Sequence, residues 1–160
     1  VSPKSVLVNA AVWVGAAVDG RGRPLVIRLA PGQAGDAPMM LPLLAGLRVG
    51  RPLGRPRTRP DRVLADKAYS SRAIRAHLRA RGIGSVISEP DDQKAHRKRR
   101  DSRGGWPVTY DRNAYRGRNV IERAFNGLKH WRGLATRYDK HATVYRGALV
   151  LAAALLWIND

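Results

Sequence analysis

Four residues of one predicted helix, Tyr115, Arg118, Glu122 and Lys129, are spaced by three, four and seven. At about 100° per residue they fall within one stripe roughly 60° wide. A helix does not normally line up Tyr, Arg, Glu and Lys on its buried face. One reading is an exposed face with an Arg118–Glu122 ion pair at i, i+4. The other is a stripe whose four polar side chains act together as a functional unit. Spacing alone leaves both open. Asp66 is the second acid of interest. It ends the apolar segment Arg62–Ala65, where a carboxylate can project from a rigid sheet end or simply serve a strand-end turn.

The pattern Tyr-x2-Arg-x3-Glu-x6-Lys resembles the YREK signature of bacterial insertion-sequence transposases of the DDE type, IS4-like or IS5-type. Tyr115, Arg118, Glu122 and Lys129 fill its positions. The stretches Arg118–Arg123, Trp131–Lys140 and Leu64-Ala65-Asp66-Lys67-Ala68-Tyr69 also look like this family. The resemblance runs from about Asp19 to the C-terminus and implies the C-terminal part of a catalytic domain. It implies a ribonuclease H-like mixed α/β sheet flanked by helices, and metal-dependent cleavage and strand transfer at insertion-sequence ends. By similarity Asp66 and Glu122 are the second and third catalytic carboxylates and the ligands of Mg²⁺ or Mn²⁺. Arg118 and Lys129 would bind DNA phosphates, and Tyr115 would stack on a base or bond to a phosphate. The implied partner is double-stranded DNA, both element ends and target, with self-association on it.

The first carboxylate is not found. In this family it comes from a strand upstream of a hairpin, and Asp19 matches the hairpin turn instead. Residues 1–17 do not resemble the expected polar strand and read as foreign to the family. The chain starts at Val1, which suits a truncated start. The sheet is therefore expected to lack its first strand, with Asp19 solvated and away from the centre, and the chain to be a single truncated domain that cleaves DNA poorly. A non-catalytic DNA-binding fragment that modulates an intact transposase is the alternative.

The elements that must position these residues follow an α/β order. Val6–Val18 reads as one buried strand, Asp19–Gly22 as a turn and Pro24–Leu29 as the returning strand. Pro31–Gln33 ends it, and Asp36 caps a helix over Met39–Leu47. Arg62–Ala65 is a strand. Ser70 or Ser71 caps a helix over Arg72–Arg81, stopped by Gly82. Ile83–Ser88 is a strand and Glu89–Trp106 a polar, basic loop. Asp111 caps one long helix from Arg112 to Trp131, and Gly133 breaks it. A last helix covers Ala142–Ile158, its apolar run Gly147–Ile158 suiting a buried helix and being too short to span a bilayer.

Composition narrows the partners. Thirty Lys and Arg face 12 Asp and Glu among 160 residues, a formal charge of +18. That suits a polyanion, nucleic acid before an anionic membrane surface. Two cationic segments stand out: Arg48, Arg51, Arg55, Arg57, Arg59 and Arg62, and Lys94, Arg97, Lys98, Arg99, Arg100 and Arg103. They read as phosphate contacts, with Arg97, Lys98, Arg99 and Arg100 as DNA-binding candidates. No cysteine is present, so disulfides and thiolate zinc sites are excluded. His77, His96, His130 and His141 lack ligand spacing. An RNA-binding sheet would need stacking aromatics, and one Phe and five Tyr form no such pattern. Val6–Val18 is interrupted by Asn9 and fails as a signal peptide, so a cytoplasmic protein is expected.

Overall fold

The computed structural model describes residues 5–11, 14–30, 35, 37–136 and 140–158. The proposed cap Asp36, the strand end Pro31–Gln33 and the matched residues Arg137–Asp139 lie outside them. A mixed sheet of five strands has the order β3-β2-β1-β4-β5. The strands are β1 (Ser5–Ala11), β2 (Val14–Val18), β3 (Pro24–Leu29), β4 (Arg62–Ala65) and β5 (Gly84–Ile87). β1, β2 and β3 pair antiparallel in sequence, while β4 and β5 run parallel to β1. This is an α/β fold.

Two strand expectations need correction. Val6–Val18 is not one strand but two, which double back on each other from Ala11↔Val14 to Leu7↔Val18. The sheet therefore does not lack a strand upstream of the β2–β3 hairpin: β1 stands there, in the middle of the sheet. Central strands covered on both faces need apolar residues at every position, and all five residues of β2 are buried. A continuous apolar run looks the same whether or not it folds back.

Helices cover both faces. Against one lie α1 (Met40–Gly46) and α2 (Arg72–Ala80), packing Met40, Leu43, Ile74 and Leu78 onto Val6, Val8, Val63 and Ala65. Against the other lie α5 (Asn119–Lys129), α6 (Arg132–Thr136) and α7 (Ala142–Ile158), packing Ile121, Phe125, Leu134 and Leu149 onto Leu7, Leu64 and Val86. The packing is tight at Gly15, where a Cβ would come within 3.0 Å of the Met39 side chain. The Ser71 hydroxyl accepts from Ile74 N at 3.1 Å and starts α2. Gly82, at φ +63°, ends it in a conformation that costs glycine nothing.

Three helical expectations change. Glu89–Trp106 is not a loop throughout: it contains α3 (Asp91–Arg99) and a 3-10 turn at Asp101–Gly104. Helix α3 buries nothing, but Asp91 and Asp92 sit in its first turn and His96, Arg97, Lys98 and Arg99 in its last. Both placements favour the helix dipole. The Arg112–Trp131 helix is divided into α4 (Arg112–Arg116) and α5 by tight i→i+3 bonds at Gly117 and Arg118. The Asp111 cap does form, accepting from Ala114 N at 2.9 Å. Helix α7 is buried on one side only, through Leu149, Ala152 and Ala153, while Val150, Leu151 and Ile158 are exposed. Its Trp157 indole donates to Pro24 O at 2.8 Å, tying it to β3. No described helix is long and apolar enough to cross a membrane.

Candidate functional site

Strand β4 delivers Asp66 to its C-terminal end. The residue keeps an extended backbone, φ −70° and ψ 164°, and its carboxylate accepts from Lys67 N at 2.6 Å. Helix α5 delivers Glu122. Its buried Ile121, Phe125 and Leu128 lie on the sheet, which leaves Glu122 at the exposed flank of the first turn. Arg118, just before α5, joins the two acids. One guanidinium nitrogen lies 3.4 Å from Asp66 Oδ1, and the other hydrogen-bonds to the Glu122 carboxylate. Sharing one planar guanidinium puts the two carboxylates within about 8 Å of each other.

Arg118 is the most enclosed of the three, its side chain 18% exposed against 39% for Asp66 and 47% for Glu122. Burial works against its charge, yet Tyr115, Asp66 and Glu122 around it hold its pKa above the ordinary arginine value. Tyr115 contributes through its ring, 5.7 Å from the Arg118 guanidinium carbon, and its hydroxyl, 3.4 Å from the guanidinium. Tyr110 in turn packs against Tyr115 with ring centroids 5.3 Å apart. Burial, with Tyr115 beside it, pushes the Tyr110 phenol up.

Of the signature stripe, Tyr115, Arg118 and Glu122 thus form one cluster with Asp66, despite the break between α4 and α5. Lys129 stands apart. It lies two turns along α5, on the edge of an apolar cavity of about 180 Å³ with Phe125, Leu128 and Tyr145.

The two cationic segments also separate. Arg57 and Arg59 border a cavity of about 130 Å³ with Ser5, Asp19 and Trp157, at the opposite end of the sheet from Asp66. Arg57 pairs with Asp61, and Arg62 with Asp111 at 3.7 Å. The second segment lies nearer the acids: Gln93 of α3 hydrogen-bonds to Ser70, four residues after Asp66. There α2 and α3 enclose an open groove of about 830 Å³, lined by Arg72, Arg75, Arg79, Arg97, Arg99, Arg100 and Trp106. Lys98, Arg99 and Arg100 are exposed. Arg97 pairs with the largely buried Glu89 carboxylate, so part of its charge is already neutralised. Burial lowers the Arg75 pKa, with Glu89 opposing it. Sequence reasoning missed Arg72, Arg75 and Arg79, although spacings of three and four put them on one face of α2. It missed Trp106 too, which is 95% exposed.

Asp19 differs from expectation: it is 8% exposed, not solvated. It accepts from Arg21 N at 2.9 Å, Arg23 N at 3.0 Å and Arg23 Nε at 2.8 Å. It is away from Asp66, since Val18 beside it pairs with Leu7 near the start of β1.

The donor set can be tested against a metal pair. Holding two divalent cations at about 3.5–4 Å takes several carboxylates, at least one of them bridging. Among the described residues no group of three or more His, Asp or Glu converges. The two acids that do converge share Arg118. The residues present do not fit a pair of cations.

The family model for the transposase DDE domain matches residues 12–157. The chain is 36% identical over 144 residues to a putative transposase for insertion sequence element IS6501 from Brucella ovis, covering 90% of this chain and 95% of that protein. It is 33% identical over 142 residues to a putative transposase for IS402 from Burkholderia cepacia, covering 88% of this chain and 60% of that protein. No solved structure gives a significant match. On the family model and both relatives, this chain belongs to the bacterial insertion-sequence transposases with a DDE domain.

Proposed function

We propose that this chain is a transposase domain with a ribonuclease H-like sheet that grips double-stranded DNA at insertion-sequence ends across its Asp66–Arg118–Glu122 face. The observation that supports the reading is the convergence of two acids from distant segments on one enclosed arginine. Arg118 and Tyr115 meet the phosphate nearest the acids. The α2–α3 groove, lined by Arg99 and Arg100 with exposed Lys98 beside them in sequence, follows the backbone further out, and Trp106 offers a face for a base. The IS4-like or IS5-type assignment, self-association on DNA and a cytoplasmic setting belong to the same reading.

Membership in the DDE family implies a divalent-metal requirement, Mg²⁺ or Mn²⁺ in this reading. Asp66 and Glu122 are the family's second and third acids by position. Because the donor set does not fit two cations, the non-catalytic reading gains ground: the chain holds DNA and modulates an intact transposase more readily than it cuts.

Fluorescence anisotropy with an element-end duplex between 50 and 200 mM salt tests the grip. Affinity should fall by on the order of 10³-fold for six phosphate contacts, and a flat response overturns the reading. A nicking assay with Mg²⁺ or Mn²⁺ should show no activity above an Asp66→Ala control. Robust nicking that the control abolishes would overturn the non-catalytic reading.

A further inference from the structure

We infer that Asn9 occupies the third place of the carboxylate centre, with an amide where a metal pair would need an acid. This rests on the proposed reading of Asp66 and Glu122. Parallel pairing of β1 with β4 runs from Ser5↔Arg62 to Val8↔Ala65, so the next residues in line are Asn9 and Asp66. Neighbouring strands lie about 4.8 Å apart. Alternation fixes the face. Val6 and Val8, like Val63 and Ala65, pack toward α1 and α2, while Leu7 and Leu64 pack toward α5. Asn9 follows Leu7 by two residues and Asp66 follows Leu64 by two. Both side chains therefore project on the α5 side, where Arg118 and Glu122 stand. Asn9 is half-buried, at the edge of the core, not within it.

The chemistry follows from the side chain. An amide oxygen can donate to one cation but carries no charge, and it does not bridge two cations as a carboxylate does. With Asn9 in this place the centre holds two negative charges, and Arg118 answers them with one positive charge. Arg118 already answers part of the negative charge, and a divalent cation competes poorly for what is left. A single change, Asn9→Asp, supplies the missing charge without altering side-chain size.

Calorimetry with Mn²⁺, on the full chain and without DNA, tests this. Asn9→Asp should tighten Mn²⁺ binding by on the order of tenfold or more, because affinity follows the count of charged ligands. The gain should vanish in Asn9→Asp combined with Asp66→Asn. An unchanged affinity in Asn9→Asp overturns the inference. Should that variant fold poorly, Mn²⁺ broadening of amide resonances in the unchanged chain decides: Asn9, Asp66 and Glu122 should broaden together, and sparing of Asn9 overturns the inference. Metal binding is read apart from DNA binding, so failure here with salt-sensitive DNA binding intact leaves the DNA-gripping reading standing.

Discussion

The sheet carries an arginine–carboxylate group at each end, and the two are built differently. At one end Asp19 and Arg23 lie four residues apart in a turn, with the acid buried and its oxygens taken by backbone and guanidinium donors. Arg23 is sandwiched there by the Trp157 ring, 4.3 Å away. At the other end Asp66 and Glu122 come from β4 and α5, meet on Arg118 and remain 39% and 47% exposed. The first group satisfies itself and closes a hairpin. The second leaves acid oxygens facing solvent around an enclosed cation, open to a partner from outside. Both ends pair an arginine with carboxylates; sequence separation and exposure set them apart.

Three experiments break or sharpen this contrast. The largest effect is expected at the closed end. Asp19→Ala strips three donors of their acceptor and should cost about 2–4 kcal/mol in chemical denaturation. DNA affinity of the folded protein should stay within about twofold, and a stability loss below about 0.5 kcal/mol would show that the turn is not fastened by its acid. Next comes the open end. Arg118→Met leaves Asp66 and Glu122 facing each other without their cation, so anisotropy should report a loss of DNA affinity on the order of tenfold while Mn²⁺ affinity rises. If both affinities fall, Arg118 only props the acids in place. The smallest effect separates charges on α3. Changing Lys98, Arg99 and Arg100 together to Ala should reduce the salt dependence of DNA binding by up to about three units of slope. Arg97→Ala alone should change it by less than about one, since Glu89 already takes part of that charge.

Much of the fold was legible where local chemistry and tertiary packing agree. The Asp19 turn, Pro24–Leu29, Arg62–Ala65, the Ser71 cap and the Gly82 stop all carried their own signals. The fold-back between Ala11 and Val14 carried none: no Pro, Asn-Gly or Asp-Gly marks it. Helix α3 has no apolar period because it buries nothing, so the segment reads as a loop; its acidic start and basic end were the signal that was passed over. The divide at Gly117 is a glycine inside a pattern that continues on both sides. The Arg118–Glu122 pair was legible in its i, i+4 spacing, and Asp66 was singled out by its flanking block, though not as an ion-pair partner of Arg118. Asn9 was not, because an acid was sought and an amide stands there. Its importance comes from strand register, which no local pattern encodes.

The parallel pairing of β1 with β4 also fixes an order of assembly. Parallel neighbours cannot be joined by a tight turn, so Ser5 meets Arg62 only after the hairpin, α1 and the arginine-rich loop have been made. Closing so long a loop is paid in entropy before any contact returns it. The β2–β3 hairpin closes across Asp19 at once. On a chain emerging from the ribosome, the Asp19–Arg23 turn thus closes early, while Trp157, which covers Arg23, arrives late. Asp66 emerges well before Arg118, so the acid spends part of synthesis without its cation, and the face proposed to meet DNA is assembled only once α5 has emerged.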